Sequence, residues 1–332
     1  MALFKVTRES GIPLSGCLYF GIIDRSTNLL QVRAYSGCNL NCPFCSVDAG
    51  PNTKSRVTVY EVELEYLLEW IKRIIDFKKR DDIEIHLDSV GEPMMYPHFV
   101  ELVKELRRIP QVKTISMQTN GTLLDAEKIK ALEHAGLDRI NLSMEALEPE
   151  LAKKLSGCVW YDIEKVKENA RLTAKSKIDL LIAPVYLPGL NDAEMPKLIN
   201  FAKEVGAGKK WPSLGIQKFL KYKMGRIPKG IKIQNWWQFY NKSIRAWEKE
   251  SGTKLIISPK DFGIVECPAL PLVMEKGEKV NCQIVGPGWI ANEVLGVAKD
   301  RVISILECNK ESGMQRVKIV SNKHGIYVGE AI

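Results

Sequence analysis

Strand-like and helix-like segments alternate six times between residues 28 and 252, and this alternation restricts the fold more than any other feature of the chain. "NLLQVRAYSGC" (28–38) reads as the first strand. "EVELEYLLEWIKRIIDF" (61–77) sets Leu64, Leu67, Leu68, Ile71, Ile74 and Ile75 on one helical stripe. "DIEIHLDSVGEP" (82–93) is the next strand, and Pro97 opens a helix carrying Val100, Val103 and Leu106. "VKTISMQTNG" (112–121) follows, with Asp125 as N-cap of a helix that stops at Gly136. Three further units complete the series: "DRINLSMEA" (138–146) with helix 163–176, "IDLLIAPVYLPG" (178–189) with helix 193–206, and "SLGIQKFL" (213–220) with an aromatic helix over 235–252. Such crossovers bury their helices against a parallel sheet. Eight units close a standard barrel. Six predict an α/β fold built as a partial (β/α)6 TIM-like barrel.

The pattern changes near residue 265. "KVNCQIVG", "EVLGVAKDRVISIL", "QRVKIVS" and "HGIYVGE" are short β-type runs separated by glycines and charges. They predict a small all-β C-terminal module, a barrel. Three regions follow: an N-terminal extension (1–27), the partial barrel (28–264) and the small β-barrel (265–332).

No run of about 18 uncharged apolar residues is present, so no membrane span is expected. "MALFKVTRESGIPLSG" lacks the charged start and apolar run of a signal peptide. The expected compartment is the cytoplasm, where thiols stay reduced and clustered cysteines bind metal or do chemistry.

Within "GCNLNCPFCSVDAG" (37–50) stand three of the chain's eight cysteines, Cys38, Cys42 and Cys45. A structural zinc site wants four N or S ligands, commonly as two separated pairs. None of the four histidines, His86, His98, His134 and His324, lies nearby in sequence. A [4Fe–4S] cube carries four irons, normally one cysteine each. Three thiols leave one iron open to a substrate or cofactor, which is the count for a reactive cluster. The other reading is a zinc or redox thiol group completed by a distant cysteine.

The spacing C-x3-C-x2-C, with Phe44 just before the third cysteine, resembles the signature of the radical SAM superfamily. The resemblance implies that Cys38, Cys42 and Cys45 hold a [4Fe–4S] cluster whose open iron chelates S-adenosylmethionine. It implies reductive cleavage to methionine and a 5′-deoxyadenosyl radical, which abstracts a substrate hydrogen. "VGEPMM" (90–95) is similar to the family's G-E-P motif for the methionine ammonium, through Gly91, Glu92 and Pro93; Val90 replaces a common first glycine. "MQTNG" offers Thr119 and Asn120 to a cofactor-facing rim, and "NLSMEA" places Ser143 where the family contacts the ribose. Ile182 and Ile216 resemble positions along the adenine, and are plain core residues on the other reading. Cys267, Cys282 and Cys308 stand where some relatives hold a second cluster, though isolated strand thiols also serve as small buried hydrophobes.

Two features bear on the substrate. Residues 206–233 carry eight Lys or Arg and no acid, within a chain of formal charge +8. Aromatic residues interleave with the cations, a composition that suits phosphates and stacked bases. Lys218, Lys221, Tyr222, Lys223 and Arg226 are the candidate contacts; a solvated lysine-rich surface is the alternative. The C-terminal module resembles the TRAM-type barrel of several RNA-modifying enzymes, a lid or dimerisation module being the alternative. The resulting expectation is a radical SAM enzyme acting on tRNA or ribosomal RNA, served by a reductant such as ferredoxin or flavodoxin. The alternatives are a peptide or protein side chain, a small metabolite, or a non-catalytic Fe–S protein that binds RNA. Cys158, Tyr186, Glu145 and Lys218 are candidates for substrate-side proton or hydrogen transfer.

Overall fold

The alternation is realised in the computed structural model, which describes residues 1–332. The chain forms two units: Met1–Cys38 with Thr53–Ile115 and Val265–Ile332, and Asn39–Asn52 with Ser116–Ile264. The first unit begins with β1 (Ala2–Val6), β2 (Gly21–Asp24), β3 (Leu29–Arg33), β4 (Thr58–Val62), α1 (Leu64–Lys78), β5 (Ile83–Leu87) and α2 (Phe99–Arg107). β3 runs parallel to β5, pairing Leu30 with Ile85 and Val32 with Leu87, and β2 adds antiparallel to β3. Leu30, Val32, Ile85 and Leu87 are all buried, as parallel strands covered on both faces require. In α1 the predicted stripe is buried except for Leu68, which is half-exposed. α2 starts two residues after Pro97. The proline disfavours a helical Tyr96, which is extended (φ −68°, ψ 121°), and His98 becomes the N-cap.

β6 (Val112–Thr119) begins in the first unit and ends in the second. There it is followed by α3 (Ala126–Ala135), β7 (Arg139–Leu142), α4 (Pro149–Ser156), α5 (Ile163–Lys175), β8 (Asp179–Ile182), β9 (Val185–Tyr186), α6 (Glu194–Val205) and β10 (Gln217–Lys218). β6, β7 and β8 are consecutive parallel strands. Asp125 caps α3 by accepting from Lys128 N–H at 2.8 Å, a contact worth about 1 kcal/mol, and Gly136 closes it in the left-handed region.

The sixth strand is shorter than the run 213–220 predicted. Leu214 bridges Ile182, and only Gln217 and Lys218 pair as β10 with β9. Pro184 interrupts the ladder because it has no N–H to donate. The aromatic helix is also not uniform: α7 (Trp236–Gln238) and α8 (Arg245–Ser251) flank a π-helical stretch, Phe239–Ile244.

The C-terminal module is a closed five-stranded barrel of β11 (Lys279–Pro287), β12 (Glu293–Ala298), β13 (Arg301–Leu306), β14 (Gly313–Ser321) and β15 (Tyr327–Ala331), in the order β11-β12-β13-β15-β14. The N-terminal extension is its seat. Val302 N–H donates to Ser15 O at 3.0 Å and Tyr327 N–H to Gly16 O at 2.9 Å. Gly16 has φ +109°, and a Cβ there would lie 2.4 Å from Val302 O. Tyr60 Oη donates to Pro287 O at 2.9 Å. The architecture is therefore an incomplete TIM-like α/β barrel carrying a small closed β-barrel. No helix is long and apolar enough to cross a membrane.

Candidate functional site

Cys38, Cys42 and Cys45 lie on a segment without helix or strand, each half-buried and none in a disulfide. In the first unit the G-E-P turn holds the start of this segment at Gly37. Glu92 N–H donates to Gly37 O at 2.8 Å, just ahead of Cys38. A Cβ on Gly91 would sit 2.0 Å from Gly37 O, so only glycine permits the approach. Gly91 N–H donates to Ser89 Oγ at 2.9 Å, and the Ser89 hydroxyl donates to Tyr35 O. Glu92 is buried, and its Oε1 accepts from Met94 N–H at 3.1 Å, capping a short 3-10 turn that Pro93 begins. Gly91 is the half-exposed member of the motif.

In the second unit the remainder of the segment is held at several points. Asn120 Nδ2 donates to Asn39 Oδ1 at 2.8 Å, and Asn39 Nδ2 donates to Thr122 Oγ1 at 2.8 Å. Asn41 N–H donates to Ser156 O at 3.0 Å, and Asn41 Oδ1 accepts from Asn52 N–H at 2.8 Å. Gly157 packs against Asn41, where a Cβ would lie 2.2 Å from its carbonyl oxygen. Arg226 makes the largest set of contacts. Its Nε donates to Asp48 Oδ1 at 2.6 Å, Nη1 to Cys42 O at 3.0 Å and Nη2 to Ala49 O at 2.6 Å. Its backbone N–H donates to Cys45 O at 2.8 Å. Arg226 was expected as a substrate contact; its guanidinium fork is occupied by the cysteine segment. Asn39, Asn41 and Asp48 carried no spacing signal, so sequence reasoning passed over them.

The polar rim is ordered by short links. Thr119 is buried and its Oγ1 accepts from Gly121 N–H at 3.1 Å. Ser143 N–H donates to Thr119 O at 2.8 Å, and its Oγ accepts from Gln118 Nε2 at 2.7 Å. Ile182 is fully buried, whereas Phe44 and Ile216 are half-buried. Glu145 follows β7, and burial pushes its carboxyl up to about 7. Near neutral pH it can therefore give or take a proton. The folded chain holds a proton that the unfolded chain releases above the ordinary 4.5, so this group's contribution to stability declines as pH rises from 4.5 to about 7. Glu145→Gln is expected to raise the thermal midpoint at pH 8 while leaving it nearly unchanged at pH 4; equal midpoints at both pH values for the two proteins would refute the shift.

Cys267 stands apart from Cys282 and Cys308. Cys282 and Cys308 are buried in the core of the small barrel. Cys267 accepts a hydrogen bond from Lys78 Nζ at 3.4 Å. No three His, Cys, Asp or Glu side chains in the chain gather around a single-ion site. Cys158 is buried beside the cysteine segment, with its Sγ 3.7 Å from Asn41 Nδ2. A cube meets each thiol at a separate iron, so it asks for three thiolate donors on one supported loop rather than convergence on one point. Cys38, Cys42 and Cys45 meet that requirement.

Of the candidate substrate contacts, Lys221, Tyr222 and Lys223 are exposed and Lys218 is half-buried. Lys218 Nζ lies 5.1 Å from the Trp236 ring centre, and burial holds its ammonium below the ordinary range. Trp236 stacks on Tyr240 at 5.9 Å, and Trp236 and Trp237 are 53% and 62% exposed. Tyr186 Oη donates to Asp192 Oδ1 at 2.7 Å.

Comparison with known proteins places these residues in a wider family. The profile of the radical SAM superfamily matches residues 32–202. An uncharacterized protein of Methanocaldococcus jannaschii is 44% identical over 97% of this chain and 79% of its own length. The GTP 3',8-cyclase of Petrotoga mobilis is 32% identical over 53% of this chain, and this chain spans about half (52%) of that relative. Among solved structures, Streptococcus suis SuiB bound to precursor peptide SuiA shares the fold at TM-score 0.52 and 16% identity, over 75% of this chain and 49% of that one.

Proposed function

The chain belongs to the radical SAM superfamily, and from that premise we propose that its substrate is a nucleotide phosphate, free or within RNA. When bound, the reduced [4Fe–4S] cluster and S-adenosylmethionine supply a 5′-deoxyadenosyl radical. The chain's own residues do the rest. Cys38, Cys42 and Cys45 provide the thiolates. The Gly91–Glu92 turn and Arg226 fix the loop that carries them. Thr119, Asn120 and Ser143 offer a polar rim to the cofactor.

The observation that carries the substrate class is the pairing of cations with rings in the second unit: half-buried Lys218 over the exposed Trp236, Trp236 on Tyr240, and exposed Lys221, Tyr222 and Lys223. Cations meet phosphates and rings accept stacked bases, each stacked base contributing about 1–3 kcal/mol. The curated relatives named GTP 3',8-cyclase add support for a purine nucleotide, and so favour a small metabolite over a polymer. A ferredoxin- or flavodoxin-type protein is the proposed electron donor.

Anaerobically reconstituted full-length protein with reductant and S-adenosylmethionine, given GTP or total RNA separately, tests the reading. Release of 5′-deoxyadenosine should rise above the substrate-free rate in one arm, with a modified nucleotide or nucleoside found by mass spectrometry. Stimulation by GTP alone identifies a free nucleotide, and stimulation by RNA alone a polymer. No stimulation by either would overturn the proposal and leave a peptide or protein side chain as the substrate to test next.

A further inference from the structure

We infer that Arg226 is a positioning residue for the iron–sulfur loop, holding the third cysteine in register and tying the basic segment to it. The inference rests on the family assignment but not on the substrate proposed above. Four donors of one residue converge on one short stretch of chain. They take the carbonyls of Cys42, Cys45 and Ala49 and the carboxylate of Asp48, so they bracket Cys45 on both sides. Arg226 and Asp48 side chains are only 20% and 10% exposed, so the grip is shielded from competing water. Gly225 permits it, since a Cβ there would come within 2.9 Å of Ser46 O.

The consequence reaches the sulfur. Nη2 holds Ala49 by its carbonyl, and the N–H of that same residue donates to Cys45 Sγ at 3.3 Å. Hydrogen bonds to cysteine sulfur set cluster stability and potential. Lysine keeps the charge but cannot present a planar fork to separate acceptors. A plain structural salt bridge would need only Asp48.

The test uses reconstituted full-length wild type, Arg226→Lys and Arg226→Gln. Iron release to a chelator is followed by loss of cluster absorbance, and the reduced cluster is examined by electron paramagnetic resonance with and without S-adenosylmethionine. Both variants are expected to release iron about tenfold faster or more, with an altered spectrum. Wild-type release and wild-type spectra in both variants would overturn the inference. If Arg226→Gln does not fold, Arg226→Lys decides alone. A wild-type protein that takes up no cluster overturns the functional assignment itself, which is a distinct outcome.

Discussion

Replacing Cys42 with alanine should remove the cluster and reduce S-adenosylmethionine cleavage to the level of a protein-free control. Ligand count decides the outcome. Three half-buried thiols stand on one loop; Cys267, Cys282 and Cys308 are lodged in other surroundings, and Cys158, which lies beside the loop, is buried with its sulfur against Asn41 Nδ2 and Asn39 O. Loss of a partner that only supports a metal ligand costs about 10- to 100-fold in affinity, so loss of a ligand itself should cost at least about a hundredfold. Cys38→Ala and Cys45→Ala should behave alike. Cys267→Ala should retain iron and cleavage, because its sulfur meets only Lys78 and its own surroundings in the first unit. Iron and sulfide content, with 5′-deoxyadenosine release, are the measurements. A Cys42→Ala protein that still holds four irons and cleaves the cofactor would sink the assignment of the loop.

A second large effect is expected from Gly91→Ala. The glycine has an ordinary backbone conformation, so the cost is steric alone: the new methyl would lie 2.0 Å from Gly37 O and 2.4 Å from Gly37 C. Both partners are backbone, and neither can rotate away as a flexible side chain would. Relief requires the Gly37–Cys38 peptide to move, which breaks the 2.8 Å bond from Glu92 N–H. Overpacking of this kind costs about 1–3 kcal/mol, and here the displaced backbone carries Cys38, a proposed cluster ligand. The thermal midpoint should fall, and iron uptake should fall with it. Normal iron uptake in a destabilised variant would show that the turn is structural only.

The central chemistry was legible because it is local. Three thiols within eight positions must share a loop whatever the rest of the chain does, and a missing fourth ligand is visible by counting. The βα alternation was legible for the same reason, since strand and helix periodicities are read over a few residues. Glu145 was singled out as a candidate for substrate-side proton or hydrogen transfer; its raised carboxyl depends on what the fold packs around it.

Other features were set by tertiary structure. Arg226 lies 178 residues from Asp48, and nothing in its basic surroundings distinguished it from the lysines beside it. The sixth strand was cut short by Pro184, on the neighbouring run, which no inspection of 213–220 alone reveals. The N-terminal residues look like an extension until Ser15 and Gly16 are found hydrogen-bonded to the C-terminal barrel. Thus the sequence by itself determined which cofactor chemistry this chain can support, because ligand number and spacing are properties of a short stretch. Only the folded chain decided what holds that stretch in place, because those contacts join residues whose proximity depends on the whole path of the backbone.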